Sequence, residues 1–253
     1  MAKTAVINVD DDSYKIISNL KVLSSRKLIT YGIKNKANVT PNSFVFKTNL
    51  IGEFNRYNNL AAIAACKSLG ISDSAIKKGT ETFISPIGRQ EIVYKNDFSV
   101  MIDFAHTPNS FEKFLSQLKH KIKGKIIHVF GAAGLRDVTK RPLMGKISIK
   151  YSDIVILTSE DPRTEPIEKI IDEIQSEIPD KETRIKSSKL LKIFDRQQAI
   201  NQAILMAQKG DLVLITGKAH EKSMNYGNGE VPWDEYAAIK KALNHRKIKN
   251  EKN

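Results

Sequence analysis

The sequence predicts an α/β protein with a parallel-rich sheet, and two patterns in its later part predict it. The first is alternation. Short apolar runs fall at residues 99–104, 125–130, 153–158 and 211–216, with a weaker one near 183–186. Amphipathic stretches near 110–120, 143–151, 166–178, 196–208 and 233–244 separate or follow them. Strand and helix in turn at this spacing make βαβ units, a parallel sheet under a cover of helices. The second pattern is placement. Each of the four strong runs ends in a cluster of Asp, His, Gly, Arg, Lys or Glu. The expected fold of this part is Rossmann-like.

Upstream the pattern is irregular. A short strand at 5–8 precedes mixed segments rich in Asn, Lys and Thr. A helix from about 58 to 69 should stop at Gly70, a natural C-terminal cap, and a short helix near 74–80 follows. Ser85-Pro-Ile-Gly-Arg89 then makes the best domain boundary in the chain. The expected division is 1–87 and 88–253, the first part reading as a piece of something larger. No internal repeat and no low-complexity linker is present.

Composition narrows the function classes. The balance of 41% hydrophobic and 27% charged residues is that of a globular chain. No apolar run approaches the roughly 20 residues that span a bilayer. The N-terminus turns acidic where a signal peptide needs its apolar stretch. A cytoplasmic protein with no membrane partner is therefore expected. The single cysteine, Cys66, excludes an intrachain disulfide, and its apolar helical setting predicts a buried structural thiol. The net charge of +13 favours anionic partners. The lysines are scattered, however, and neither an RNA-binding aromatic signature nor zinc-finger spacing is found, so no nucleic-acid partner is expected.

In open α/β sheets ligands bind beyond the carboxyl ends of the strands. There stand Asp103-Phe-Ala-His106-Thr-Pro108, Gly131-Ala-Ala-Gly134-Leu-Arg136-Asp137, Ser159-Glu160-Asp161-Pro162-Arg163 and Gly217-Lys218-Ala-His220-Glu221. Four clusters on one sheet edge make a site. Taken singly, each keeps a plainer reading. Asp103 is placed to cap the next helix, Pro108 suits a helix first turn, and the glycines suit tight turns. His106 and His220 sit at strand ends rather than on apolar helix faces. Arg136 and Arg163, on adjacent loops, would form a fork for a carboxylate, unless Asp137 or Glu160 takes them as salt-bridge partners.

These residues carry a resemblance. Asp103–Pro108 is similar to the Asp-Tyr-Ala-His-Thr-Pro of Mur ligases. Gly134-Leu-Arg-Asp137 with Lys140-Arg-Pro-Leu-Met-Gly145 resembles the Gly-Asp-Arg-Asp…Lys-Arg-Pro-x-Met-Gly of UDP-N-acetylmuramoyl-tripeptide synthetases. Glu160-Asp-Pro-Arg163 resembles their Asp-Asn-Pro-Arg, and Gly217-Lys-Ala-His-Glu221 their Gly-Lys-Gly-His-Glu. Asn8-Val-Asp-Asp11, Gly52-Glu-Phe-Asn55-Arg-Tyr-Asn58-Asn-Leu-Ala-Ala62 and Gly88-Arg-Gln-Glu91 match in order upstream. The resemblance makes residues 1–87 the C-terminal portion of the family's central α/β (ATPase) domain and 88–253 its C-terminal domain.

What the resemblance implies is an ATP-dependent amide ligase. ATP and Mg²⁺ phosphorylate the terminal carboxylate of UDP-N-acetylmuramoyl-L-Ala-D-Glu, and the amine of a diamino acid attacks the acyl phosphate. It places Asn55, Asn58, Arg89, Asp103 and His106 at the ATP, and Arg136, Glu160, Asp161, Pro162, Arg163, Gly217 and Glu221 at the amino acid. It assigns no catalytic nucleophile and no metal ligand within the chain. Relatives that use lysine generally lack the last arginine of Asp-Asn-Pro-Arg, so Arg163 implies meso-diaminopimelate, with Glu221 an acceptor for its ammonium.

Departures from the family pattern also carry expectations. No Gly-x-x-x-x-Gly-Lys-[Ser/Thr] occurs in the sequence. In the family that loop, the modified lysine and the UDP-sugar-binding domain precede the point matching Asn8. Alone, then, the chain is not expected to hydrolyse ATP efficiently, and an upstream polypeptide carrying the P-loop would complete it. Leu135 stands for an acidic residue and Ala219 for a glycine. Glu160-Asp161 stands for Asp-Asn, and the added negative charge is expected to compete for Arg163. Two alternatives stay open: a folylpolyglutamate synthetase-like ligase, against which the 140–145 motif argues, and a catalytically dead module that binds an amino acid or nucleotide.

Overall fold

The computed structural model describes residues 3–21, 26–50, 52–178 and 189–251. The chain divides into two compact units, Met1–Ser85 and Pro86–Asn253.

In the first unit, β1 (Thr4–Asn8) and β2 (Lys27–Tyr31) pair in parallel. The short α1 (Tyr14–Ile17) comes between them in sequence, and α2 (Glu53–Ser68) and α3 (Asp73–Thr82) follow. α2 begins before the expected residue 58 because its polar opening, Asn55-Arg-Tyr-Asn-Asn59, hides the helical period from an apolar reading. The core gathers Val39, Phe44, Leu60, Ile63, Ala64 and Ile76, and Cys66 lies only half-buried at its edge. Asp10 staples the loop after β2 to α2. Its carboxylate accepts the backbone N–H groups of Ile33 (2.6 Å), Lys34 (2.9 Å) and Asn35 (2.8 Å) and the Tyr57 hydroxyl (2.8 Å). Burial alone would raise the Asp10 pKa, yet these donors hold it well below the usual carboxylate range.

The second unit is a six-stranded sheet. Its strands are β3 (Glu91–Lys95), β4 (Ser99–Asp103), β5 (Ile126–Phe130), β6 (Ile154–Leu157), β7 (Lys189–Lys192) and β8 (Leu212–Thr216), in the spatial order β3-β4-β8-β5-β6-β7. All pairings are parallel except that of edge strand β3 with β4. Strand periodicity sends alternate residues to opposite faces. Met101, Phe130, Val155, Leu157 and Leu214 pack under α4 (Pro108–Lys121), α5 (Lys140–Tyr151) and α6 (Ile167–Gln175). Val100, Ile102, Val129, Ile156, Val213 and Ile215 pack under α7 (Arg196–Met206) and α8 (Glu235–Glu251). The result is the α/β/α sandwich that buried parallel strands require. A small antiparallel pair, β9 (Ser223–Asn225) and β10 (Glu230–Pro232), lies between β8 and α8 in sequence.

The order of the strands positions the site. From β4 the chain runs outward through β5, β6 and β7, then returns so that β8 lies between β4 and β5. The four strands that end in polar clusters are therefore contiguous, in the order β4-β8-β5-β6. β3 was not anticipated, since five residues with one bulge offer too short an alternation to read. The weak strand expected near 183–186 falls outside the described residues. One cap differs from its plain reading. Thr107, not Asp103, caps α4, with Ser110 completing a reciprocal capping box.

Candidate functional site

At the end of β4, Asp103 is buried and faces backward. Its carboxylate accepts the N–H groups of Gln90 (2.8 Å) and Ala105 (2.7 Å), tying the 88–90 turn to the strand end. Burial pushes its pKa up, against these two donors and the Arg89 charge. The next residue, Phe104, is a platform. Arg89 lies over its ring at 4.8 Å, and the rings of His106 and His220 each stand 5.1 Å from it. The His106 Nδ1 lies 2.9 Å from the Phe104 carbonyl. A cation and two imidazoles around one aromatic ring form a polar, stackable surface at the mouth of β4 and β8.

The loops after β5 and β6 are laced together. The Gly134 N–H donates to the Asp161 carbonyl (2.9 Å), and the Arg163 guanidinium donates to the Gly134 carbonyl. A Cβ on Gly134 would strike the Pro162 carbonyl, so this close approach needs glycine. Arg136 is exposed. Asp137 turns instead to the Thr139 N–H (2.9 Å) and hydroxyl (2.6 Å). Among the described residues no ion pair joins Arg136 or Arg163 to a carboxylate.

The expected competition for Arg163 does not arise. Asp161 faces Lys218 (2.9 Å) and accepts the Asn225 N–H (2.8 Å). Lys218 is buried, and it also meets Glu221 at 2.8 Å, so Glu221 already carries an ammonium partner. Glu160 is different. It is buried, and its Oε2 has no hydrogen-bond partner. Burial pushes its carboxyl up to about 7 against the pull of Arg196, Lys140 and Lys218, with Asp161 adding to the rise. Gly217, at φ 103°, lies so close that a Cβ there would collide with the Glu160 carboxylate.

Three basic side chains hold these loops in place. Lys140 donates to the His106 carbonyl (2.8 Å). Arg141, fully buried, donates to the Ala133 carbonyl (2.9 Å) and forks onto Glu165, which in turn accepts the Leu135 N–H (3.1 Å). Arg196, buried on α7, donates to the carbonyls of Ser159 (3.2 Å) and Thr216 (2.9 Å). Backbone strain collects here too. Among the described residues the non-glycine positions with left-handed φ are Gln90, Leu135, Asp161, Arg163 and Ala219, all on this edge. Such conformations persist at sites whose surroundings enforce them.

Residues 88–219 match the family described as the Mur ligase, glutamate ligase domain. The chain belongs to the Mur ligase family. The UDP-N-acetylmuramoyl-L-alanyl-D-glutamate--2,6-diaminopimelate ligase of Aquifex aeolicus is 38% identical over 258 residues, 96% of this chain and 52% of that protein. Its counterpart from Clostridioides difficile is 39% identical over 259 residues, 94% of this chain and 52% of the other. A solved diaminopimelate ligase of the same name superposes with a TM-score of 0.62 at 28% identity, over 97% of this chain and 54% of that one. The folylpolyglutamate synthase of Mycobacterium tuberculosis, at 17% identity and a TM-score of 0.63, shares the fold. The chain spans about half the length of the curated relatives it matches.

Within this Mur ligase chain the structure gathers Arg89, Asp103 and His106 about Phe104, and Arg136, Glu160, Asp161, Pro162, Arg163, Gly217 and Glu221 about the ends of β5, β6 and β8. Asn55 and Asn58 lie in the first unit, one turn apart on α2, with the Asn58 amide donating to the Asn55 side chain (3.2 Å). The roles of Arg141 and Arg196 were not visible in the sequence. Arg141 stood inside a recognised motif with no physical role attached, and Arg196 stood only at the start of an amphipathic stretch. Ala219, at φ 44°, takes the left-handed conformation where the family pattern has glycine. Substituting Gly217 by Ala should displace Glu160 and lower amino-acid affinity about tenfold. Calorimetric titration measures this, and unchanged affinity would show that the Gly217–Glu160 contact is dispensable.

Proposed function

We propose that the chain is the nucleotide- and amino-acid-binding part of an ATP-dependent ligase that joins meso-diaminopimelate to UDP-N-acetylmuramoyl-L-Ala-D-Glu in peptidoglycan synthesis. The observation that carries this reading is Arg163, set on the Gly134 carbonyl and in no ion pair, on the same loop as the buried Glu160 carboxyl with its partnerless oxygen, in a chain whose relatives are diaminopimelate ligases. Meso-diaminopimelate ends in both a carboxylate and an ammonium. The Arg163 guanidinium suits the first through charge-assisted hydrogen bonds. Glu160, with a free oxygen, suits the second better than Glu221, which Lys218 occupies.

In the reaction a carboxylate oxygen of the dipeptide attacks the γ-phosphorus of ATP and ADP leaves. The amine nitrogen then attacks the acyl carbon, phosphate departs with the C–O bond, and the nitrogen loses a proton. This chain's share is positioning. Arg89, over Phe104, offers a cation to the nucleotide phosphates, with His106 beside it. Asp103 holds the turn that carries Arg89. Among the described residues no group of three His, Cys, Asp or Glu side chains is arranged to hold a metal ion, so Mg²⁺ is given no ligands here. The phosphate-binding glycine loop is supplied by residues outside this sequence, on an upstream polypeptide or the remainder of a longer one.

The test is reconstitution. The 253-residue chain alone should form no tripeptide product with ATP, and adding a polypeptide that carries the P-loop should restore turnover. Product formation by the chain alone at roughly 1 s⁻¹ or faster, ordinary for an enzyme, would contradict the proposal.

A further inference from the structure

Arg196 opens α7 and is wholly buried, as is its partner Glu235 on α8. Its Nε donates to Glu235 (3.1 Å), which also accepts the Trp233 indole N–H (2.7 Å). A terminal nitrogen meets the other Glu235 oxygen (2.5 Å), and both terminal nitrogens donate to backbone. One nitrogen donates to the Ser159 carbonyl and another to the Thr216 carbonyl, the residues directly before Glu160 and Gly217. These two carbonyls leave β6 and β8, which are not neighbours, since β5 lies between them. A single planar fork thus spans three strand ends. A buried ion pair is weak as a source of stability, because apolar residues of similar volume often serve as well. Its geometry here calls for another explanation.

We propose that Arg196 is the positioning residue of the amino-acid subsite: it sets the gap between the Glu160 loop and the Gly217–Glu221 loop and holds a fixed cation against the Glu160 carboxyl. This rests on the reading of those loops as the amino-acid subsite. The groups facing Glu160 are Arg196 from α7, Lys140 from α5, Lys218 from the loop after β8, and Asp161 from its own loop. Burial favours the neutral carboxyl. The three cations favour the carboxylate that an ammonium ligand needs, and Arg196 leads them. Loss of Arg196 therefore moves Glu160 toward its protonated form at neutral pH, and the carboxylate becomes available only at higher pH.

The experiment has a ligand-free arm and a binding arm, both on the full chain. Carboxyl ¹³C NMR follows the Glu160 titration, and calorimetry follows meso-diaminopimelate. Arg196→Gln with Glu235→Gln removes both charges together and leaves no lone ion. Its Glu160 midpoint should rise by about 1 on the pH scale or more, the effect expected of removing a near cation. Arg196→Lys keeps the charge but loses the fork, so the midpoint should stay while affinity falls about tenfold. Leu118→Ala, a core truncation on the buried face of α4, should lower stability and move neither. An unmoved midpoint in the double variant, or wild-type affinity in Arg196→Lys, overturns the proposal. A midpoint that moves as expected in a chain that binds no diamino acid supports the Arg196–Glu160 coupling and refutes the amino-acid reading instead.

Discussion

Arg141→Ala should destabilise the second unit by about 3–5 kcal/mol in urea unfolding, the cost of stripping one partner from a buried ion pair. The Arg141 guanidinium is fully buried and contacts Glu165 (2.9 and 2.8 Å), Glu173 (2.6 Å) and the Ala133 carbonyl. Its removal leaves the nearly buried Glu165 carboxylate with only the Leu135 N–H (3.1 Å) and the longer Lys169 contact at 3.4 Å. An exposed pair such as Lys47–Glu81 sets the contrast, and Lys47→Ala should change stability by no more than about 0.5 kcal/mol. The same pair predicts an acid response. Hydrogen bonds from Arg141 above all, with the Leu135 N–H and Lys169, hold the Glu165 carboxyl down at about 2. A carboxyl lowered on folding contributes stability that is fully present above its unfolded pKa, roughly 4.3, and is lost as pH falls toward 2. The contribution is on the order of 3 kcal/mol. Wild-type stability should therefore fall between about pH 5 and 2 more steeply than that of Arg141→Ala. Parallel pH profiles for the two proteins would contradict this assignment.

Arg163→Ala should weaken meso-diaminopimelate binding roughly ten- to a hundredfold while changing lysine binding little. A charge-assisted hydrogen bond contributes about 1.5–3 kcal/mol, and lysine has no second carboxylate to lose it. The arginine is already aimed. Its backbone N–H donates to the Asn225 carbonyl (2.9 Å), its φ of 53° is held by the Pro162 turn, and its guanidinium leans on the Gly134 carbonyl. Preorganisation of this kind reduces the entropy lost on binding. Equal losses for both amino acids would mean that Arg163 supports the loop and does not read the carboxylate.

The sandwich was legible because its strands are buried on both faces and stand out as apolar runs. The site edge was legible for a related reason: nothing in packing explains Asp103, His106, Arg163 or Glu221 at strand ends. What stayed hidden depends on long-range partners. The pairing of Asp161 with Lys218 joins residues 57 apart, and in the sequence Asp161 looked like a rival for Arg163. Arg141 and Arg196 act on carbonyl oxygens, which every residue possesses, so no side-chain pattern announces them. β3 and β7 pair at or beside the sheet edges with only partly buried residues, and their alternation is correspondingly faint.

The most direct measurement is a pair of calorimetric titrations of the unmutated chain with meso-diaminopimelate and with lysine at neutral pH. Arg163 on the loop that carries the partnerless Glu160 oxygen predicts tighter binding of meso-diaminopimelate, by about tenfold or more. Equal or tighter binding of lysine would contradict the account.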